Sequence, residues 1–407
     1  MSESEESCAE LLAVATGSRS VGATTSAMAV PPQVFTSLVA TPIASPQPVL
    51  ATDGRVHLVY ELIVLNVSSS VMKLNRVETL DASKGDAVIS TESGNAILGT
   101  LEGPGLDSAN PPFKGQPSLT VGPFQFTRLF LDVTIPNNGT LPTVLEHRFQ
   151  ITLTPAAGNP PITSATMVSG RTPVTNAGAV VVGPPLEGQR WADGIGCCAN
   201  PSAHRAATLP IDGTIVASER FAIDFVQLNS EDKLYAGPAN QLSSYAYEGA
   251  KVYSVADGTV VNLQNGQPEQ TPGAFAPGLT LLQGLGNFVI VDIGHGHFAF
   301  YAHFQPNTLK VRLGDKVRRG QVLAHLGNSG NSDAPHLHFG ILNGPGPYSS
   351  NSLPYVFSSF ATAGTITNSF DHDIQGAGLP AVIGPAQAGP HRHQLPLENE
   401  VVAFSKH

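Results

Sequence analysis

Short runs in which apolar and polar side chains alternate, each soon cut off by glycine, proline or asparagine, dominate the first half of this chain. They include Val56–Val64, Arg128–Ile135 and Phe149–Thr154. A period of two puts successive side chains on opposite faces of a strand, so each run can bury one face only by stacking against a second layer. Strands at that spacing predict an antiparallel β-sandwich of immunoglobulin-like type over residues 32–183. Composition agrees with an all-β, loop-rich fold. The 407 residues include 41 Gly and 33 Pro, and only 13% are charged, against about 25% in an average globular chain.

The length predicts two to three domains at roughly 150 residues each. Residues 1–31 open on an acidic stretch and read as a disordered leader. Val182–Gly188 reads as a linker, and a second, mostly β domain is expected over 189–355. The Pro-rich stretch 356–407, with its His391 and His393, reads as a solvated tail. No segment reaches the ~18 consecutive apolar residues of a membrane helix. The net charge of −10 excludes general nucleic-acid binding, which needs a basic surface to neutralise phosphates. Three cysteines are too few for a disulfide framework, and the adjacent Cys197 and Cys198 read as free loop thiols.

The chemistry concentrates in the second domain. In Asp333-Ala334-Pro335-His336-Leu337-His338-Phe339, alternation points His336 and His338 to one side and Leu337, Phe339 and Ile341 to the other. The same rule puts Tyr301 and His303 on one face of a second strand. On a third it puts Arg220 and Asp224 together, opposite Phe221, Ile223 and Phe225. Three imidazoles on strand ends, His303, His336 and His338, are a candidate metal constellation.

Several ordered blocks over residues 204–341 resemble the lysostaphin-type (LytM-type) zinc peptidases: Arg220–Phe225, Tyr253–Val261, Leu285–Asp292, Tyr301–Phe304, Val317–Gln321, Gly327–Gly330 and the His-x-His. The resemblance implies a lysostaphin-type antiparallel β-sheet domain following the sandwich, with the site in a groove. It implies Asp224 and His338 as zinc ligands, and His303 and His336 as the pair that polarises water and stabilises the tetrahedral intermediate. The third ligand of that family is a histidine four residues before the aspartate. Here that residue is Arg220, which offers no lone pair. The nearest substitute is His204, which an Asp212-Gly213 turn could fold back along the Asp224 strand. His204 either completes the metal site or hydrogen-bonds a backbone carbonyl.

The implied activity is a zinc endopeptidase cutting peptide cross-links of bacterial peptidoglycan, or another polypeptide, in the periplasm, outside the cell or at the wall. The alternative is a noncatalytic relative in which Arg220 pairs with Asp224 and the groove only binds peptidoglycan or protein. Gln264–Leu279 is expected to wall the groove.

Overall fold

The computed structural model describes residues 34, 36–102, 118–155, 162–198 and 202–406. The leader expected at 1–31, with Cys8, lies outside them.

The alternating runs form two five-stranded antiparallel sheets. One orders Leu38–Pro42, Arg55–Asn66, Phe126–Pro136 and Leu101–Glu102, with Pro48–Leu50 also on the Arg55 strand. The other orders Ile162–Pro173, Val144–Thr154, Val71–Asp81 and Ala87–Ser93, with Thr120–Val121 on the Val71 strand. Leu58, Tyr60 and Leu62 meet Met72, Leu74, Phe149 and Ile151 in the core between them. Each such side chain contributes about 1.5–3 kcal/mol by leaving water.

Strand Arg55–Asn66 is buried on both faces rather than one. Its second face, with Val59 in the core of the following domain and Glu61 fully buried, packs against that domain.

The second domain is built on one long antiparallel sheet. It runs from Gly258–Gln264 through Asn287–Asp292, Phe298–Phe304, Leu337–Leu342, Ile223–Gln227 and Gly188–Ile195 to Glu400–Phe404 and Phe360–Ile366. Leu337, Phe339 and Ile341 enter its core with Tyr301, Val289 and Phe225, as alternation predicts.

Three expectations are corrected here. The stretch 356–407 is not a solvated tail: Glu400–Phe404 pairs with both Gly188–Ile195 and Phe360–Ile366, and Val401, Val402 and Phe404 join the core. The strands Phe360–Ile366 and Glu400–Phe404 are short and separated by a Pro- and Gly-rich excursion, which hides their period. His391 there stacks on Phe360 and is bonded to the Gln387 carbonyl and Gln394. The Val182–Gly188 linker is pinned down, since Leu186 is buried in the core and the Gly183 amide donates to the Val255 carbonyl. Cys197 and Cys198 are joined as a vicinal disulfide, not free thiols.

Candidate metal centre

Asp224 and His338 are directly opposed on neighbouring strands, and His338 also faces Ala302 across its other edge. That register brings His338 Nδ1 to 2.9 Å from Asp224 Oδ1. His336, one residue before the strand, turns its Nε2 toward the same oxygen at 3.6 Å.

His303 arrives differently from the sequence reading. Plain alternation would aim it with Tyr301, which is buried in the core. Between the Asn287–Phe304 and Val289–Tyr301 pairs the register slips, so Ala302 and His303 together oppose Phe288. Such a bulge re-aims the next side chain, and His303 takes a φ of 67°, a conformation uncommon outside glycine. Its ring then lies 4.5 Å from that of His336 and 6.0 Å from that of His338, centre to centre.

His204 completes the group. Ser202 caps its short helix, Ala203–Ala206, by accepting from the Arg205 amide. The chain then returns through the hairpin Thr208–Ile211 and Thr214–Ala217. The Asp212-Gly213 turn has φ of 49° and 78°, the left-handed pair that a tight two-residue hairpin demands. His204 Nε2 ends 3.1 Å from Asp224 Oδ2, and its Nδ1 lies 3.1 Å from the Ala222 carbonyl. The backbone-carbonyl contact weighed for His204 is thus made by Nδ1, while Nε2 is turned to Asp224.

Arg220 does not face Asp224. It sits in a turn, closed by the Ala222 amide donating to the Glu219 carbonyl, before the strand begins at Ile223, so strand periodicity does not govern it. Its guanidinium donates instead to Glu61 of the sandwich, with Nε 2.8 Å from Oε2. Arg205 Nη2 joins the same carboxylate at 3.3 Å and lies over the Phe130 ring.

Three imidazoles share a design. His204, His303 and His336 each direct Nδ1 at a backbone carbonyl, of Ala222, Ser329 and Ala334 respectively, at 3.1, 2.7 and 2.8 Å. A donor held that way fixes the tautomer and leaves Nε2 with its lone pair for the site. The Ser329 carbonyl is itself held by close backbone packing. Gly286 and Gly330 both have positive φ, and a Cβ on Gly330 would lie 2.3 Å from the Gly286 nitrogen.

His204, Asp224 and His338 offer one ligand atom each, all within 4.8 Å of one another. Two imidazoles and a carboxylate in that compass suit zinc, whose N and O ligands sit at about 2.0–2.2 Å. Burial alone would push the Asp224 carboxyl up, but His204 and His336 outweigh it and hold it well below the usual range. Burial likewise disfavours a charged His204, and Asp224 overrides that, raising it to about 9. His303 goes the other way. Burial first, then His336 and His338, push it well below an ordinary imidazole, so it is neutral.

The loop expected to wall the groove is bonded to Asn328, next to the Ser329 whose carbonyl holds His303. The Gln270 amide donates to the Asn328 carbonyl, and Glu269 accepts from the Asn328 amide 2.5 Å away. Glu61 as the partner of Arg220 leaves no local sequence signal because the pair is 159 residues apart, and the three carbonyls that orient the imidazoles leave none because main-chain acceptors do not mark the side-chain pattern.

Residues 241–349 match the family model for peptidase family M23. His303, His336 and His338 fall inside that match, whereas His204 and Asp224 precede it. The chain is 32% identical over 94 residues to the peptidoglycan DD-endopeptidase ShyA of Vibrio cholerae, covering 23% of this chain and 18% of that protein. It is 33% identical over 96 residues to the murein hydrolase activator EnvC of Escherichia coli, covering 24% and 19%. The chain thus spans about a fifth of the length of these two relatives. Among solved structures, the catalytic domain of lysostaphin from Staphylococcus simulans aligns at 22% identity. It covers 40% of this chain and 88% of that one, with a TM-score of 0.23.

Proposed function

We propose that this chain, whose M23 segment carries His303, His336 and His338, is a zinc endopeptidase that hydrolyses peptide bonds, with peptidoglycan cross-links as its substrate and the cell wall as its place of work. The observation that carries this reading is His204 Nε2, seated 3.1 Å from Asp224 where Arg220 cannot serve.

His204, Asp224 and His338 would hold the zinc. Bound there with a fourth position open, zinc supplies a Lewis acid and an acidified water. The protein's own groups do the rest. Neutral His303, with Nδ1 committed to the Ser329 carbonyl, leaves Nε2 to accept a proton from the attacking water and return it to the departing amine. His336, tethered through Nδ1 to Ala334, faces the same space and, when protonated, donates to the oxygen of the bound carbonyl. The wall at Glu269 and Gln270 would line the path of the peptide.

The substrate draws on the similarity to the peptidoglycan DD-endopeptidase ShyA and on the family. The competing reading, a noncatalytic module binding peptidoglycan or protein, draws on Arg220 at the family's ligand position. Metal analysis of purified wild type beside His204→Ala, together with digestion of purified peptidoglycan, separates them. Stoichiometric zinc and released peptide ends in wild type, both lost in the variant, support the enzyme. Metal-free, inactive wild type supports the binding module.

A further inference from the structure

A second cluster of metal-binding groups lies away from this centre, where the sandwich meets the second domain. His57 and Asp132 are diagonal neighbours on one face of paired strands, His57 lying opposite Thr134 and Asp132 opposite Val59. His57 Nδ1 is 2.9 and 3.0 Å from the two Asp132 oxygens, and its Nε2 is 3.3 Å from both oxygens of Asp53. From the other domain comes Cys198. The ligand atoms of His57, Asp132 and Cys198 all lie within 4.8 Å of one another. His57 and Cys198 are buried, at 4% and 9% exposure.

Cys198 is bonded to Cys197, and a disulfide sulfur is a poor ligand, whereas a thiolate is a strong one. We infer that reduction of the Cys197–Cys198 bond unlocks a second metal site, in which His57 Nδ1, Asp132 and the Cys198 thiolate bind a thiophilic divalent cation of the zinc class. Asp53, accepting from His57 Nε2–H, is the outer carboxylate that commonly orients a ligating imidazole. N···O separations near 3 Å already suit two ligands of one ion at about 2.0–2.2 Å, and zinc takes sulfur at about 2.3 Å. The rearrangement needed is a small opening of the His57–Asp132 pair.

The redox step uses a dithiol. Its thiolate attacks one sulfur of the bond, and its second thiol resolves the mixed disulfide. Two electrons and two protons pass to the cysteines while the reductant closes into its own disulfide. On binding the cation, Cys198 Sγ releases its proton to solvent. Cys198 precedes His204 by six residues in the sequence.

Cobalt(II) distinguishes the two centres, because only a thiolate ligand gives an intense near-ultraviolet charge-transfer band, and the His204–Asp224–His338 group contains no sulfur. The full chain carrying Cys8→Ser is reduced with dithiothreitol, desalted without air, and titrated with cobalt. The reduced protein should take up one more equivalent than the oxidised protein, with the charge-transfer band. His57→Ala or Cys198→Ser should abolish the band. Cys197→Ser, which cannot form the disulfide, should show it without any reductant. No extra equivalent after reduction, a band that survives His57→Ala, or a Cys197→Ser protein without one would each overturn the proposal. Circular dichroism matching wild type certifies each variant as folded. The first equivalent, read separately, reports on the peptidase centre alone.

Discussion

Arg220 gives its Nε and one Nη to the carboxylate of Glu61, a residue 159 positions earlier in another domain. The contact turns the Arg220 guanidinium away from Asp224. The cation is neutralised inside a buried interface, and Asp224 is left to His204, His336 and His338.

Glu61→Ala should destabilise the protein by about 3–5 kcal/mol, the usual cost of leaving buried cations without their counter-ion. Urea denaturation measures it. A loss below about 1 kcal/mol would mean that water or another acid takes over. Replacing Glu61, Arg205 and Arg220 together with apolar residues of similar size should recover most of the loss.

The same carboxylate sets an acid limit. Burial would raise Glu61, but Arg220 and Arg205 prevail and hold it below the ordinary 4.5. A group depressed on folding contributes stability in full above its unfolded value and loses it as pH falls through its folded one. Denaturation midpoints should therefore hold steady from neutrality down to about pH 5 as far as Glu61 is concerned, then fall more steeply in wild type than in Glu61→Gln. Parallel curves for the two proteins would contradict this.

His204→Ala should weaken zinc binding by more than the ~10–100-fold typical of losing an outer-shell partner, since a ligand itself is removed. Competition against a chromophoric chelator gives the number. Unchanged affinity would show that His204 serves only as a backbone anchor.

His303→Ala should keep its zinc and lose about 10²–10⁴-fold in kcat, the usual contribution of a positioned proton carrier. Zinc content and turnover of a cross-linked peptide substrate, measured on the same preparation, check this. A fall in zinc content would reassign His303 as a ligand.

How much of this was legible depends on whether a residue obeys its local period. His336, His338 and Asp224 sit in or beside regular strands, and their convergence could be read from alternation. His303 was placed at the site by family pattern rather than by period, because a bulge and a left-handed φ reverse its side. Arg220 misled because it precedes its strand, inside a turn whose direction is set by a distant acid. The strands at Phe360–Ile366 and Glu400–Phe404 were missed because each is short and their pairing spans a Pro- and Gly-rich excursion. Their partners were set by tertiary packing rather than by any local signal.

The face of the Arg55–Asn66 strand that looks away from its own sandwich also changes how the chain can be divided. Trimming it to begin at Gly188 would strip away Glu61 and, with it, the acid that pairs with the Arg220 side chain. The second domain would then carry a stranded positive charge four positions before Asp224. The sandwich thus holds the counter-ion of its neighbour's arginine, and a stable shorter fragment must either retain it or replace that arginine.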